Sequence, residues 1–167
     1  MGESGLIPWT SINNWACQAC GNCCVGYRVP LKIDEYVRVT NTYGPDKVEY
    51  GLGKVYLRVG PNRRCIFQKP TMSRWICALQ GMKPLACRIF PFRLHKNPIY
   101  KRGDDSLVAF NGEKYHLYLD PVCKGVTHGK PSERFVKMVI PEILKTGIGI
   151  AQKQKYSTSK YISWTPP

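Results

Sequence analysis

The stretch Trp15–Cys24, WACQACGNCC, carries four cysteines within eight residues. Thiolates bind zinc and iron through directed bonds, and the C-x-x-C spacing lets two sulfurs reach one ion from a tight turn. Gly21 follows the second cysteine, where such a turn often needs a residue that tolerates positive φ and a close approach to the sulfurs. The stretch therefore predicts the nucleus of a metal site.

Four more cysteines follow singly, each beside bulky apolar residues, as expected where a metal replaces part of a core. The candidate metal ligands are Cys17, Cys20, Cys23, Cys24, Cys65, Cys77, Cys87 and Cys123. Eight thiols favour two four-cysteine sites, but they divide into such sites in about 35 ways. The C-x-x-C-x-x-C triplet favours a [4Fe-4S] cluster and the dispersed thiols favour structural zinc, so both metals stay open.

Composition limits the class of protein. A chain of 167 residues suits one domain, and 25 Lys and Arg against 11 Asp and Glu leave a net charge of +14. The natural partners are therefore polyanions, and no apolar run approaches the roughly 18 residues of a membrane-spanning helix. The first residues have no signal-peptide pattern, so we expect a cytoplasmic, reducing compartment where cysteines serve metals. The alternative is a secreted disulfide scaffold.

Local patterns predict an α+β fold: a small metal-stapled domain with short antiparallel strands, a few helices and extended termini. Residues 31–44 have helical spacing, and residues 54–60 alternate like a half-buried strand. Asn111 and Gly112 predict a type I′ hairpin, and a helix capped by Ser132 is expected to be kinked or interrupted at Pro141. We expect an N-terminal extension over 1–14, the metal-binding domain over 15–144 and a basic tail over 145–167.

The ordered motifs resemble a known family. They are C-x-x-C-G-x-C-C from Cys17, single thiols at Cys65 and Cys77, C-R-x-F-P from Cys87 and C-x-G from Cys123. This order resembles the YkgJ-type cysteine-cluster family, described as zinc- or iron-chelating proteins, and the resemblance implies a metal-binding core. The arginine of the family's Arg-Pro before the C-R-x-F-P thiol is Lys83 here. A related class, the lysine N-methylases that modify flagellin, has a similar cluster within a larger enzyme.

Positive charge is concentrated in the middle of the chain, where no acidic residue occurs between Glu49 and Asp104. This block and the C-terminal tail predict contacts with RNA phosphates, and the interleaved aromatic residues are either base-stacking groups or core residues. The candidate RNA-binding residues are Arg58, Arg63, Arg64, Lys69, Arg74, Arg93, Lys96, Lys101, Arg102, Lys153, Lys155 and Lys160.

Two functions follow from these observations. The first is a metal-binding structural protein that binds structured RNA, as a component of the ribosome or a protein associated with it, beside neighbouring ribosomal proteins. The alternative is an iron–sulfur enzyme or electron-transfer protein like the methylase class. His95, His116 and His128 are scattered, and no nucleophile motif, Walker loop or H-E-x-x-H occurs. We therefore name no catalytic residue and no small-molecule substrate, and any catalysis would reside in the metal.

Overall fold

The computed structural model describes residues 5–100 and 103–158. Its short antiparallel strands and few helices confirm the α+β class. In chain order, the elements are β1 (Ile7–Pro8), β2 (Ile12–Trp15), β3 (Pro30–Leu31), α1 (Ile33–Tyr43), β4 (Val48–Gly51), β5 (Lys54–Leu57), β6 (Gln68–Pro70), β7 (Trp75–Cys77), α2 (Leu85–Ile89), β8 (Phe92–His95), β9 (Leu107–Phe110), β10 (Glu113–Leu119), β11 (Val126–His128) and α3 (Ile140–Gly147).

The described residues form two compact units. Unit 1 comprises residues 5–18, 89–100 and 103–158, and unit 2 comprises residues 19–88. In the part of the chain that the structure describes, no helix is long and apolar enough to cross a membrane. The predicted boundaries at residues 14 and 144 stay a prediction.

Unit 1 is built around β10, the longest strand. It pairs antiparallel with β1, β8 and β9, with Leu119 opposite both Ile7 and Phe92. Asn111 and Gly112 join β9 to β10, and their φ angles of 51° and 78° are the left-handed values that a type I′ turn requires. The predicted hairpin is confirmed.

The core of unit 1 is centred on Phe92, whose side chain is 1% exposed. Its ring contacts Trp15 edge-on at a centroid distance of 5.5 Å and stacks with Phe135 at 6.2 Å. Ile12 is fully buried in the same cluster. Part of the segment assigned to an N-terminal extension therefore lies in the core, because its apolar residues lie on or beside paired strands.

The helical segment after Ser132 has the predicted cap and the predicted interruption. The Phe135 N–H donates to Ser132 Oγ at 3.3 Å, and a π-helical turn over Phe135–Val139 precedes α3. Pro141 lacks the N–H that an α-helix would offer to the carbonyl of Lys137. The π-helical turn, which is wider than an α-helical one, does not require this hydrogen bond.

Residues 155–157 are fastened to α3 through the carboxylate of Glu142. That carboxylate accepts the backbone N–H groups of Lys155, Tyr156 and Ser157 and the hydroxyl of Ser157. Part of the predicted basic tail is thus tied to unit 1, and Ser157 is buried. Burial opposes the charged form, yet the bonds from Ser157, Lys155 and Tyr156 together lower the pKa of Glu142.

Glu142→Gln is expected to lower the free energy of unfolding by about 1.5 to 3 kcal/mol at pH 7, because charge-assisted hydrogen bonds are lost. A carboxylate whose folded pKa lies below its unfolded value stabilises above the unfolded pKa, and this stabilisation is lost as pH falls through the folded pKa. Urea unfolding from pH 7 to pH 3 should therefore show the difference between the proteins shrinking below about pH 4.3.

The matched control is Glu133→Gln, which removes an exposed i,i+4 pair with Lys137 on the same helical segment. It should cost under about 0.5 kcal/mol. Equal costs and equal pH dependence for the two variants would contradict the role of Glu142.

Unit 2 combines the three-stranded sheet β3-β5-β4 with α1 and the ribbon β6–β7. The predicted helix and strand are both present, as α1 and β5. Ile33 and Val37 belong to the apolar spacing that predicts α1, but they are 85% and 44% exposed, whereas Glu35 is 6% exposed. Glu35 takes the inner position because its carboxylate accepts two backbone N–H groups, from Lys32 and Leu85.

Candidate metal centre

The cysteine-rich loop turns sharply at Gly21. Its φ of 80° is left-handed, and the 3₁₀ turn Asn22–Cys24 follows directly. A Cβ at this position would lie 2.6 Å from Gln68 Nε2 and 2.7 Å from Trp75 Cγ, so only glycine fits. The predicted positive φ is confirmed, although the group that approaches closely is the Gln68 and Trp75 pair.

Three side chains hold this loop in place. Gln68 Nε2 donates to the Gly21 carbonyl at 2.8 Å, and Arg64 Nη1 donates to Gln68 Oε1 at 2.7 Å. The Arg64 guanidinium lies over the Trp75 ring, 4.1 Å from its centroid. Arg64, a candidate RNA-binding residue, is therefore already engaged in positioning the cysteine loop.

Backbone pairing brings distant cysteines to the same loop. The Cys65 N–H donates to the Cys24 carbonyl at 2.9 Å, and Cys77 lies opposite Gln68 in the β6–β7 ribbon. Cys87 lies on the short helix α2. Four separate segments of the sequence thus contribute thiols to unit 2.

Five of these thiols form one electrostatic group, which we call the five-cysteine cluster: Cys23, Cys24, Cys65, Cys77 and Cys87. Cys23 Sγ and Cys24 Sγ are 3.7 Å apart. Negative charge on Cys23 raises the pKa values of Cys65, Cys77 and Cys87. Negative charge on Cys23, Cys65 and Cys77 likewise raises the pKa of Cys24. Apart from Cys23, each of them also packs in the apolar core of unit 2.

Cys23 is the thiol of the cluster that ionises most easily. A hydrogen bond from Cys24 and the positive charge of Lys83 outweigh burial and lower the pKa of Cys23 to about 7. The same hydrogen bond, together with burial, raises the pKa of Cys24. Within the adjacent pair, Cys23 is therefore the thiol that ionises near neutral pH, while Cys24 stays protonated.

The other three cluster thiols are neutral near pH 7 because burial raises their pKa values. Burial raises the pKa of Cys65 to about 11, and it raises those of Cys77 and Cys87 as well, despite Lys83. A bound metal cation reverses this situation, because a coordinated thiol is deprotonated outright. Lys83, at the position where the family has arginine, supplies positive charge to the cluster.

The five-cysteine cluster contains sulfur atoms that can bind a metal, but these atoms are not arranged around a common point. Among residues 5–100 and 103–158, no three His, Cys, Asp or Glu side chains are already placed to hold a metal ion. The donor set nevertheless fits zinc or iron, because five soft sulfur atoms gather in one region and such ligands select these metals over magnesium or calcium. No disulfide joins the eight cysteines, all of which are described.

The remaining three candidate ligands are Cys17 and Cys123 of unit 1 and Cys20 of unit 2. Cys17 packs against the core of unit 1 and Cys123 is buried within it, where Cys123 Sγ accepts the Trp15 Nε1–H at 3.4 Å. Cys20 is half-buried in unit 2. The assignment of all eight thiols to two sites stays a prediction.

The candidate RNA-binding residues are distributed over both units. In unit 2, Arg58, Arg63, Lys69 and Arg74 are exposed. In unit 1, Arg93 pairs with Asp120, Lys96 pairs with Glu113, and Lys153 and Lys155 are exposed. Lys101, Arg102 and Lys160 lie outside the described residues. Of the interleaved aromatic residues, Phe67 and Phe92 are core residues, at 5% and 1% exposure.

One known family model matches most of the chain. The family model CxxCxxCC, described as a "putative zinc- or iron-chelating domain", matches residues 16–124 of the 167. The chain belongs to this family. No curated protein and no solved structure matches it. The matched region of this CxxCxxCC protein contains all eight cysteines, which agrees with a metal-binding core.

Glu35 is a positioning residue that sequence reasoning missed. Its carboxylate accepts the Leu85 N–H at 2.6 Å at the start of α2, two residues before Cys87. It also accepts the Lys32 N–H at 2.9 Å, completing a capping box. The available signal was a glutamate three residues into a predicted helix. Glu35 thus links the first turn of α1 to the segment that carries a cluster thiol.

Glu35→Ala is expected to lower the free energy of unfolding by about 2 to 3 kcal/mol, because two backbone donors lose their acceptor. Metal affinity should fall with it, and Glu35→Gln should restore part of both, since its amide oxygen still accepts. Urea unfolding and competition with a chromophoric chelator measure the two effects.

Asp34→Ala is the matched control, because Asp34 is an exposed neighbour in the same first turn, paired with Arg38. It should cost no more than about 1 kcal/mol and leave metal affinity unchanged. If both variants lose metal equally, Glu35 does not position Cys87.

Proposed function

We propose that this CxxCxxCC protein chelates one zinc or iron centre through the five-cysteine cluster of unit 2, and that the metal fastens the four segments that carry its ligands. The observations that support this most are geometric: Cys23 Sγ and Cys24 Sγ are 3.7 Å apart, Cys65 pairs with Cys24 through the backbone, and Cys24, Cys65, Cys77 and Cys87 pack in one apolar cluster. Four ligands suffice for either metal, and we assign the excess thiol to the adjacent pair, because Cys65, Cys77 and Cys87 each come from a separate segment.

The size of unit 2 gives a physical reason for a metal. Its 70 described residues bury an apolar core of only seven residues, Val29, Val39, Val48, Leu57, Cys65, Phe67 and Leu79. Small cores of this kind rarely supply enough stability without a disulfide or a structural metal. Metal binding couples to folding because the ligands are brought together only in the folded state. The bound ion would supply a cross-link between loop, ribbon and helix.

The number of ions distinguishes this proposal from the two-site prediction. Protein expressed with zinc and iron supplements and purified anaerobically should carry about one metal ion or cluster per chain by elemental analysis. Absorption near roughly 400 nm would identify an iron–sulfur cluster, and a colourless protein would identify zinc. Two zinc ions or two iron–sulfur clusters per chain would favour the two-site prediction. Native protein with no bound metal would contradict both.

RNA binding is a second candidate function. It is supported by the net charge of +14 and by four exposed cations of unit 2, Arg58, Arg63, Lys69 and Arg74, in a segment without acidic residues. Affinity for a structured ribosomal RNA fragment should fall steeply as salt rises, since phosphate contacts release counterions. Co-sedimentation with ribosomal subunits tests association with the ribosome. Salt-independent affinity would count against phosphate contact.

The enzymatic alternative depends on a different property of the metal. An iron–sulfur enzyme or electron-transfer protein requires a cluster that is reduced reversibly or has an open coordination position. Redox titration of the native metal protein, followed by its absorption spectrum, separates this function from a purely structural one.

A further inference from the structure

A cleft of about 430 Å³ opens in unit 2, and we call it the Tyr43 cleft after the aromatic residue at its edge. Its volume lies within the range of small-molecule sites, about 300 to 1,000 Å³. It is lined partly by Ile66, Phe67 and Ala78, the sequence neighbours of Cys65 and Cys77. None of the residues that line it is a candidate metal ligand, so the cleft is distinct from the metal centre.

One side of the Tyr43 cleft is apolar and aromatic. Tyr43 contacts Phe67 edge-on, at a centroid distance of 5.1 Å and an interplanar angle of 66°. Phe67 is 5% exposed and anchored in the core, whereas Tyr43 is 36% exposed at the end of α1. A phenol ring held in this way offers a fixed surface on which a planar ring can stack.

The other side of the cleft is positively charged. Lys47, Arg58 and Lys69 line it with one acid, Asp46, so the lining carries a net charge of +2. Arg58 Nη1 donates to the Asp46 carbonyl at 3.1 Å, and its backbone N–H donates to the Lys47 carbonyl at 3.0 Å. Lys47 pairs with the Asp46 carboxylate. The guanidinium is therefore held at the cleft by its own hydrogen bond.

We propose that the Tyr43 cleft binds a nucleoside monophosphate, with the base stacked on Tyr43 and the phosphate held by Arg58 and Lys69. A phosphate monoester carries up to two negative charges at neutral pH and matches the net charge of the lining. Inorganic phosphate would leave the aromatic side unused, and an uncharged ring would leave the cations unused. The nucleotide is either free or the 5′-phosphorylated end of a single-stranded RNA, and no residue that lines the cleft is a proposed metal ligand.

Calorimetric titration of the metal-loaded protein tests the proposal with four probes: AMP, adenosine, inorganic phosphate and a single-stranded RNA hexamer with a 5′-phosphate. AMP should bind at least about tenfold more tightly than adenosine or phosphate, since it alone uses both sides of the cleft. A hexamer that binds tighter than AMP and competes with it identifies RNA as the source. A weaker hexamer identifies the free nucleotide.

Three variants assign the binding to the cleft. Arg58→Gln and Lys69→Gln should each weaken AMP binding about five- to tenfold, because each removes a charge-assisted contact. Tyr43→Leu should weaken AMP and adenosine without affecting phosphate. Lys145→Gln, an exposed lysine of α3 in unit 1, is the control and should change nothing.

Circular dichroism and metal content confirm that each variant is folded. No saturable binding of AMP or the hexamer at millimolar concentration would overturn the proposal. So would AMP binding that survives all three cleft substitutions unchanged.

Discussion

Cys87→Ser is expected to abolish metal binding and to lower the free energy of unfolding by at least about 4 kcal/mol. Cys87 lies on α2 and belongs to the five-cysteine cluster. A serine hydroxyl does not replace a thiolate ligand, and structural zinc contributes about 10 to 16 kcal/mol of apparent binding free energy that is coupled to folding. Elemental analysis after dialysis gives the metal content, and urea unfolding gives the stability.

Cys17→Ser is the matched control, because Cys17 is also half-buried but packs on the core of unit 1. This variant should keep its metal and lose about 1 kcal/mol or less, the ordinary cost of a polar group in a partly buried position. If Cys17→Ser releases metal as completely as Cys87→Ser, Cys17 is a ligand and the single-centre proposal fails. Retention of metal by the Cys87→Ser variant would also contradict the single-centre proposal.

Gly21→Ala is expected to cost about 2 to 5 kcal/mol and to weaken metal binding. The substitution places a Cβ at a φ of 80°, which costs about 1 to 2 kcal/mol in itself. It also forces that Cβ to within 2.8 Å of Gln68 and Trp75, and overpacking adds about 1 to 3 kcal/mol. The displaced turn carries Cys20 and Cys23 on either side of Gly21.

Gly53→Ala separates these two causes within the same unit. Gly53 has a φ of 69° but has no atom within 4 Å of an added Cβ. It should therefore cost about 1 to 2 kcal/mol and leave the metal content unchanged. Equal costs for the two alanine variants, measured by urea unfolding, would show that the Gln68 and Trp75 contact does not matter.

Features that depend on a few adjacent residues were predictable from the sequence. Asn111 and Gly112 form the expected turn, Gly21 has the expected positive φ, and a π-helical turn breaks the α-helical pattern just before Pro141. The conformation of each follows from the steric properties of one or two residues, although the contacts of Gly21 with Gln68 and Trp75 were not predictable.

Features that depend on distant contacts were not predictable. The cluster thiols meet because Cys65 pairs with Cys24 and because Glu35 holds the start of α2, and neither pairing has a local signal. The same reason explains why the apolar spacing does not identify the buried face of α1, where hydrogen bonds favour burial of Glu35 over Ile33. Long-range hydrogen bonds override hydrophobic periodicity when they satisfy buried backbone donors.

The contacts of individual charged residues were also not predictable from the sequence. The sequence predicted RNA contacts for Arg64 and Arg93, but Arg64 lies over Trp75 and donates to Gln68, and Arg93 pairs with Asp120. Net charge is a sum over the whole chain, whereas the use of each side chain depends on its neighbours in space. For the exposed residues Arg58 and Lys69, RNA contact stays a prediction, and both line the Tyr43 cleft that we propose as a nucleotide site.

X-ray absorption spectroscopy at the edge of the bound metal tests the central claim most directly. It should be recorded on the Cys17→Ser, Cys123→Ser double variant, in which all six remaining thiols belong to unit 2. We expect about four sulfur neighbours, at about 2.3 Å if the metal is zinc. A shell of nitrogen and oxygen alone, or a double variant that no longer binds the metal of the native protein, would contradict a thiolate centre within unit 2.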